Sequence, residues 1–376
     1  MKIGFVSEAI SEDIAGVGRY AKNVFSHLAK MGHPPIPIDW QPLNSSKIKI
    51  SGHIPDPILI PNPWPIMKTT LWHLFLLKML RHKADSLDIV FNPSQFPHPI
   101  GQLNVPFVYV VHDVSFMRFP ECHRRGKKIY FQLFLRNTLQ KADAIVCDSE
   151  YTRKEILKYF DVDYKKIVVI YLAAENNFHP ITDGEHLERI RHIYNLPKKF
   201  LLSVGTIEPR KNLNQLFQAY HLLGNRIPFP LFIAGKPGWR SGPIFKFYES
   251  LNIHDRVKFL GYVPDQDLPA LYNLATALVY ASKDEGFGLP PLEAMQCGTP
   301  AVVSDAGSIP EIVGDGALIV PSNDPHATGD ALMRICEDAS LYNRLKIKGL
   351  DRSASFCWEN TAEELMVLFQ RLITGG

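Results

Sequence analysis

The sequence predicts an α/β protein made of two doubly wound, parallel-sheet domains facing a cleft. Three observations carry that expectation. The chain has 376 residues, whereas single hydrophobic cores stop growing at roughly 250 to 300. Short β-branched runs alternate with amphipathic stretches in two successive sets, the pattern of βαβ units. Between the sets, from Tyr171 to Pro197, the alternation lapses, and "ENNFHPITDGEH" reads as a linker followed by a short helix.

The first set runs KIGFV, a helical stretch from Arg19 to Met31, PIPID, Met67 to Arg81, DIVF, FVYVV, Arg124 to Lys141, AIVCD, Glu150 to Phe160 and KIVVIYL. The second runs FLLSVG, a helix from Asn212, LFIAG, a helix, VKFLG, a helix from Asp265, ALVYA, a helix from Leu289, AVVS, ALIV and a helix from Asp324. The tail "SFCWENTAEELMVLFQRLITGG" is amphipathic, with Asn360 or Thr361 as N-cap and Gly375 as its stop. These readings divide the chain into domains 1–178 and 179–355, followed by a C-terminal helix over 356–376.

Composition narrows the class. A hydrophobic fraction of 46% and a charged fraction of 21% fit a globular enzyme, and no run approaches the roughly 18 apolar residues of a membrane-spanning helix. The sequence opens on the strand-like MKIGFVS, so no signal peptide is expected. Its five cysteines are scattered and lack a C-x-x-C, so neither a disulfide framework nor a zinc site is expected, and a reducing cytoplasm is the simplest location. The net charge of +3 hides an asymmetry: residues 1–178 hold 22 Lys+Arg against 16 Asp+Glu, leaving 41 − 22 = 19 basic and 38 − 16 = 22 acidic for the rest. Much of the excess lies in "RRGKKIYFQLFLRNTLQKA", where basic and apolar residues interleave. It reads either as a solvated helix packed by its apolar face or as a basic amphipathic helix at an anionic membrane, with Thr69 to Lys83 adding to that surface.

In an open α/β sheet, ligands bind beyond the carboxyl ends of the strands. Four loops there are loaded. "GTIEPRKN" follows FLLSVG and puts Arg210 and Lys211 before a helix, an arrangement that suits a diphosphate; the alternative is surface charge closing a loop. "KDEGFGLPPLEAMQCGTP" follows ALVYA: Gly286 and Gly288 permit close backbone approach, Pro290 and Pro291 suit a first helical turn, Glu285 lies in the loop, and Glu293 is placed in the first turn, where it would also favour the helix dipole. FVYVV ends in His112 and Asp113. "GVGRYA" formally matches a dinucleotide fingerprint with Asp39 near the ribose position, but the loop "EAISEDIA" separates it from its strand, which argues against a nicotinamide or flavin enzyme. The triplets Asp161/Asp163 and Asp265/Asp267 could suggest a metal, yet the first ends a helix and the second offers N-caps to Leu268–Leu274, so no metal site is expected.

With these residues in view, the chain resembles the retaining glycosyltransferases of family four, which have the GT-B fold of two Rossmann-like domains. The resemblance covers almost the whole chain, through "GVGRYA", "VHD", "GTIEPRKN", "AGKPG", "GYVPDQDLPALY" and the long, specific "DEGFGLPPLEAMQCGTPAVVSDAGSIPEIVGDGALIV", whose Glu285 and Glu293 fit the family's E-x7-E pattern. It implies that Glu293 accepts from the nucleotide ribose, and that Glu285 with the amides of Phe287, Gly288 and Leu289 holds the sugar and its phosphate. Arg210 and Lys211 would neutralise the diphosphate, His112 would contact the sugar near its 6-position, and Gly18 and its loop would close over the donor. Gly205 and Gly286 would belong to the same donor site. Transfer would retain anomeric configuration by front-face attack, without metal or cofactor, the leaving phosphate taking the acceptor proton. The tail with Trp358 resembles the family's final helix, which crosses back to the N-terminal domain.

One departure matters: many relatives carry Arg where this chain has Thr206, and Arg210 is expected to supply that charge. "EPRKN" resembles the subgroup rich in mannosyltransferases of bacterial polysaccharide synthesis, so the expected donor is GDP-mannose and the acceptor a glycan or lipid-linked glycan, chosen by N-terminal loops such as Ser51 to Pro65. The alternatives are a retaining transferase of UDP-glucose or UDP-N-acetylglucosamine, and a silent nucleotide-sugar-binding partner of a synthase complex. The expected location is cytoplasmic, peripheral at the inner membrane face if the basic helix binds lipid. No nucleic-acid partner is expected.

Overall fold

A computed structural model describes residues 1–11, 16–39, 54–60 and 70–375. These residues divide into two compact units. The first comprises Met1–Arg118, Arg125–Leu172 and Cys357–Gly376, and the second Phe119–Arg124 and Ala173–Phe356.

In the first unit the chain runs β1 (Ile3–Val6), α1 (Glu8–Ser11), α2 (Val17–Lys30), β2 (Ile36–Asp39), β3 (Ile58–Leu59), α3 (Thr70–Leu80), β4 (Ile89–Asn92), β5 (Phe107–Val111), α4 (Ser115–Arg118), α5 (Arg125–Lys141), β6 (Ala144–Cys147), α6 (Glu150–Tyr159) and β7 (Ile167–Val169). The sheet order is β3-β2-β1-β4-β5-β6-β7, every pair parallel. Strands β1, β4, β5 and β6 are buried at every position. A parallel sheet is covered on both faces, so its strands read as continuous apolar runs, which is why the sequence exposes them so plainly.

The second unit runs α7 (Gly184–Ile193), β8 (Leu201–Val204), α8 (Leu213–Leu223), β9 (Leu231–Ala234), α9 (Ser241–Ser250), β10 (Val257–Gly261), α10 (Leu268–Leu274), β11 (Ala277–Tyr280), α11 (Leu289–Gln296), β12 (Ala301–Ser304), α12 (Ile309–Val313), β13 (Leu318–Val320), α13 (Pro325–Glu337) and α14 (Ala339–Ser353). Its parallel sheet has the order β10-β9-β8-β11-β12-β13. The connections therefore reverse direction between β8 and β11, and the loops leaving those two neighbours diverge to open a crevice at their carboxyl ends. The same reversal falls between β1 and β4 in the first unit.

Helix α15 (Trp358–Thr374) belongs to the first unit, where it packs on α2. Trp358 lies 6.0 Å from the Tyr20 ring and stacks on His27 at 6.5 Å, and Phe369 reaches Phe91 at 5.4 Å. Neither Asn360 nor Thr361 is its N-cap. The helix starts three residues before Thr361, behind Cys357, because the Thr361 hydroxyl donates instead to the Tyr171 carbonyl at 2.8 Å. Gly375 does stop the helix, in the left-handed conformation.

Other boundaries also moved. The helix expected from Asp324 is two helices: Asp324 caps α13, and Asp338 ends it while capping α14 by accepting from Leu341 N. The two-residue β3, inside the proline-rich stretch, pairs with β2 by tertiary register alone. Most of Ser51 to Pro65 lies outside the described residues. Of the apolar residues of α3, Trp72, Leu76, Leu77 and Leu80 are buried in the core rather than available to a surface. Asp267 precedes α10 without capping it, because its carboxylate accepts from Tyr194 Oη at 2.7 Å.

At the reversal point of the first unit, Glu8 is completely buried, and among the described residues neither of its carboxyl oxygens accepts a hydrogen bond. The His73 ring stands 3.4 Å away. Burial pushes the Glu8 acid up to about 7 and His73 down to about 3, so this is a contact of largely neutral groups rather than an ion pair. Because the fold favours the protonated acid, stability is full below the usual carboxyl value of 4.5 and falls as pH rises to about 7, a loss of about 3 kcal/mol. Glu8→Gln should therefore raise the melting temperature at pH 8 and give no gain at pH 4.5. A lower melting temperature than wild type at pH 8 would overturn this account.

Candidate active site

The reversal point of the second unit gathers the residues that the sequence singled out in two separate loops. After β8, Gly205 stands at φ 147, a conformation that side-chain-bearing residues rarely adopt, and a tight turn over Pro209–Lys211 delivers Arg210 and Lys211 ahead of α8. After β11, Ser282 and Glu285 enter the same space. Glu285 is only 8% exposed. Its Oε1 accepts from Lys211 Nζ at 2.6 Å, Tyr280 Oη at 2.7 Å and Ser282 Oγ at 2.6 Å. Its Oε2 accepts one bond, from Arg210 Nη1 at 2.7 Å, and the same nitrogen reaches the Asp284 carbonyl at 2.8 Å. A carboxylate offers about four lone-pair sites. Among the described residues three donors crowd Oε1 and one meets Oε2, which retains acceptor capacity.

The electrostatics follow from this packing. Burial alone would raise the Glu285 acid, but Arg210 and Lys211, with hydrogen bonds from Lys211 and Ser282, hold it well below the usual carboxylate range. Burial lowers Lys211 against the raising pull of Glu285, and Arg210 lowers it further. Burial and the Glu285 charge push the Tyr280 hydroxyl well up, so it remains a donor. Arg210 Nη2 also lies 3.2 Å from Glu208 Oε1. The two cations are thus already compensated by two carboxylates, and they stand here as partners of Glu285 rather than as free charge.

The backbone after Glu285 is shaped by glycine. Gly288 sits at φ 105, ψ 55 just before α11, and Pro290 and Pro291 occupy the first turn. The proline nitrogens carry no N–H, so the donors at this helix start are the amides of Phe287, Gly288 and Leu289. Gly307, at φ 64, lies against the Glu285 backbone: a Cβ there would come within 2.4 Å of the Glu285 carbonyl oxygen. Ser308 completes the clamp by donating from N and Oγ to Glu285 O, both at 3.0 Å. Composition gave no hint of Gly307 or Ser308. Phe287 is buried and meets Phe356 edge-on at 5.8 Å, while Gly286 and Leu289 flank the turn.

Two placements differ from the sequence reading. Glu293 is the fifth residue of α11, beyond its first turn, so the helix dipole does not account for it; it is buried and accepts from Tyr272 Oη at 2.7 Å. Gly18 lies inside α2, whose N-cap is Gly16 at φ 74, and not in the loop ahead of it. Asp39 is buried and accepts from Ser7 Oγ at 3.1 Å. In the first unit His112 follows β5, with Nδ1 2.7 Å from Asp148 Oδ2 and Nε2 2.9 Å from Pro93 O. Sequence reasoning missed Asp148, since a single Asp at a strand end carries no distinguishing spacing. Among the described residues no cluster of His, Cys, Asp and Glu could hold a metal ion.

Known proteins share this architecture and sequence. Residues 14–175 match Glycosyltransferase Family 4, and residues 187–352 match Glycosyl transferases group 1. O-antigen chain mannosyltransferase B of Escherichia coli is 32% identical over 99% of this chain and 100% of its own length. Serotype-specific mannosyltransferase WbdA of Escherichia coli is 34% identical over 72% of this chain, but over only 34% of its own length. Among solved structures, sucrose-phosphate synthase of Thermosynechococcus elongatus matches with a TM-score of 0.79 at 20% identity, over 100% of both chains. Anabaena Alr3699/HepE in complex with UDP-glucose matches with a TM-score of 0.76 at 17% identity, over 98% of this chain and 99% of that one. At such identities the structural likeness speaks to the fold.

Truncating Glu285 would leave two neighbouring cations, their side chains 18% and 14% exposed, without their shared partner. Glu285→Ala should destabilise the protein by about 3–5 kcal/mol, and the same change made in a Lys211→Met background should cost about 1–3 kcal/mol less. Urea denaturation of the four proteins measures both quantities, and strictly additive losses would show that Lys211 and Glu285 are not coupled.

Proposed function

Since the chain belongs to glycosyltransferase family four, we propose that this glycosyltransferase moves mannose from GDP-mannose to a glycan or lipid-linked glycan acceptor in polysaccharide assembly, with retention of configuration and without a metal. The observation that carries the mannosyl reading is the full-length relation to an O-antigen mannosyltransferase. Support for a diphosphate-sugar site is the meeting of Arg210, Lys211 and Glu285 beside the amides that open α11.

In this reading the ionised Glu285 accepts a sugar hydroxyl at Oε2, the oxygen with capacity left. The amides of Phe287, Gly288 and Leu289 face the donor phosphate, and Glu293 takes the ribose. As the bond from the anomeric carbon to the phosphate oxygen breaks, negative charge grows on the diphosphate, where Arg210 and Lys211 stabilise it while shared with Glu285. The acceptor oxygen attacks the same face, and its proton passes to the departing phosphate oxygen. The positive charge for the leaving group comes from the chain's own side chains, which is why no metal is assigned.

Donor identity is tested by melting the protein with GDP, UDP, ADP and their sugars, because a ligand of the folded state raises the transition by mass action. GDP and GDP-mannose should raise it, the transferred mannose should appear as the α-anomer by NMR, and Lys211→Ala should reduce transfer at least a hundredfold. A shift with UDP and none with GDP would replace the donor.

We also propose a peripheral membrane contact through α5. Ile129 and Leu133, one helical turn apart, are 52% and 65% exposed, and Arg125 and Arg136 are exposed on the same helix. Apolar side chains flanked by arginine fit an anionic lipid surface; among the described residues no helix is long and apolar enough to cross a membrane. The protein should co-float with vesicles containing anionic lipid and not with neutral ones, and Ile129→Gln with Leu133→Gln should release it. Equal flotation of that variant would place the contact elsewhere.

A further inference from the structure

We propose that Asp148 is a positioning residue for the transfer reaction: it fixes His112 as an imidazolium with both ring nitrogens occupied, so that His112 acts on the donor through a permanent charge and never as a proton acceptor. The inference rests on the reading of His112 as a donor contact.

The hydrogen bonds of the ring carry the assignment. Nε2 lies 2.9 Å from the Pro93 carbonyl, which can only accept, so Nε2 bears a proton. Nδ1 lies 2.7 Å from Asp148 Oδ2. Burial raises the Asp148 acid, the charge and hydrogen bond of His112 pull it back, and Asp113 raises it; in its ionised form, which this proposal takes, Asp148 likewise only accepts, which places the second proton on Nδ1. The ring has no nitrogen left to take a proton from a substrate hydroxyl.

The position of the ring is over-determined. The His112 N–H donates to Gln95 Oε1 at 3.1 Å, and Thr152 Oγ1 donates to His112 O at 3.4 Å. Gln95 is held at φ 60, a left-handed conformation that costs a side-chain-bearing residue on the order of 1–3 kcal/mol and persists where the surroundings enforce it. Its side-chain amide is fastened to the Asp113 carbonyl. Loops from β4 and β5 and the residue following β6 therefore converge on one imidazole.

The groups facing that imidazole agree with a cation. Burial opposes its charge, but Asp148, with Asp113 adding to it, carries His112 above the usual histidine value. Tyr20 meets the ring edge-on at 5.0 Å, and burial with the Asp148 charge holds its hydroxyl well up, hence neutral. The second Asp148 oxygen is buried, with no hydrogen bond among the described residues. Such an oxygen is costly beside a neutral ring and is stabilised beside a cation.

NMR of the protein labelled in histidine with 13C and 15N, with His112 assigned by its loss in His112→Gln, should show both ring nitrogens protonated at pH 8. A neutral ring with a bare Nδ1 would overturn the proposal. In transfer assays the wild type should have similar rates at pH 6 and pH 8. Asp148→Asn keeps an acceptor but removes the charge, so burial then lowers His112; its rate should fall with rising pH, by roughly tenfold or more between pH 6 and pH 8. A variant uniformly slower at every pH would mark Asp148 as merely structural, which also overturns the proposal, and if the variant does not fold, the wild-type NMR result still decides. A wild-type rate in His112→Gln would defeat the donor-contact reading and the functional half of this proposal, while the NMR result decides the charge separately.

Discussion

The arrangement around Glu285 depends on one requirement: a carboxylate that is almost entirely out of water must keep its charge. Four donors satisfy it, and they come from two strand-end loops that are far apart in sequence. Each donor is constrained in return. The half-buried Lys211 is supported as an ion by Glu285, Tyr280 ends a central strand, and the clamp of Gly307 and Ser308 holds the Glu285 backbone where its oxygens can reach both cations. A buried charge compensated this fully contributes little net stability, but it costs a great deal to break. That asymmetry holds these charges in fixed places.

The sheet topology explains why these groups meet. In the second unit the connections reverse between β8 and β11, and the loops carrying Arg210, Lys211 and Glu285 leave from those two strands. The first unit repeats the logic with different chemistry. Its reversal point, between β1 and β4, holds Glu8, and the loops leaving β4 and β5 meet the residue after β6 to fix His112. One unit thus compensates a buried anion with two cations, and the other sets the His112 imidazole against the buried Asp148 carboxyl group.

Much of this was legible in the chain. Strands of a parallel sheet are buried on both faces, so runs such as FVYVV and AIVC stand out without tertiary information. Helix ends were less legible because side chains with capping chemistry have other uses: Thr361 bonds a distant carbonyl, Asp267 takes a tyrosine hydroxyl, and Asp338 divides a helix that periodicity alone would run together. The site was legible where spacing was unusual, as with Glu285, Gly288 and the adjacent Arg210 and Lys211. Asp148, Ser282 and Ser308 were not, since each is a common residue whose role exists only through a neighbour distant in sequence.

The sequence by itself determined the fold class and the two parallel-sheet units and singled out the loops that meet around Glu285, because burial periodicity and the residues permitted at tight turns are local properties of the chain. Tertiary structure alone decided the charge balance: that Arg210 and Lys211 are partners of Glu285 rather than free cations, that Glu293 is tied to Tyr272, and that His112 is bound to Asp148. Pairing and desolvation are set by what folds against a group, and those neighbours are adjacent only in space.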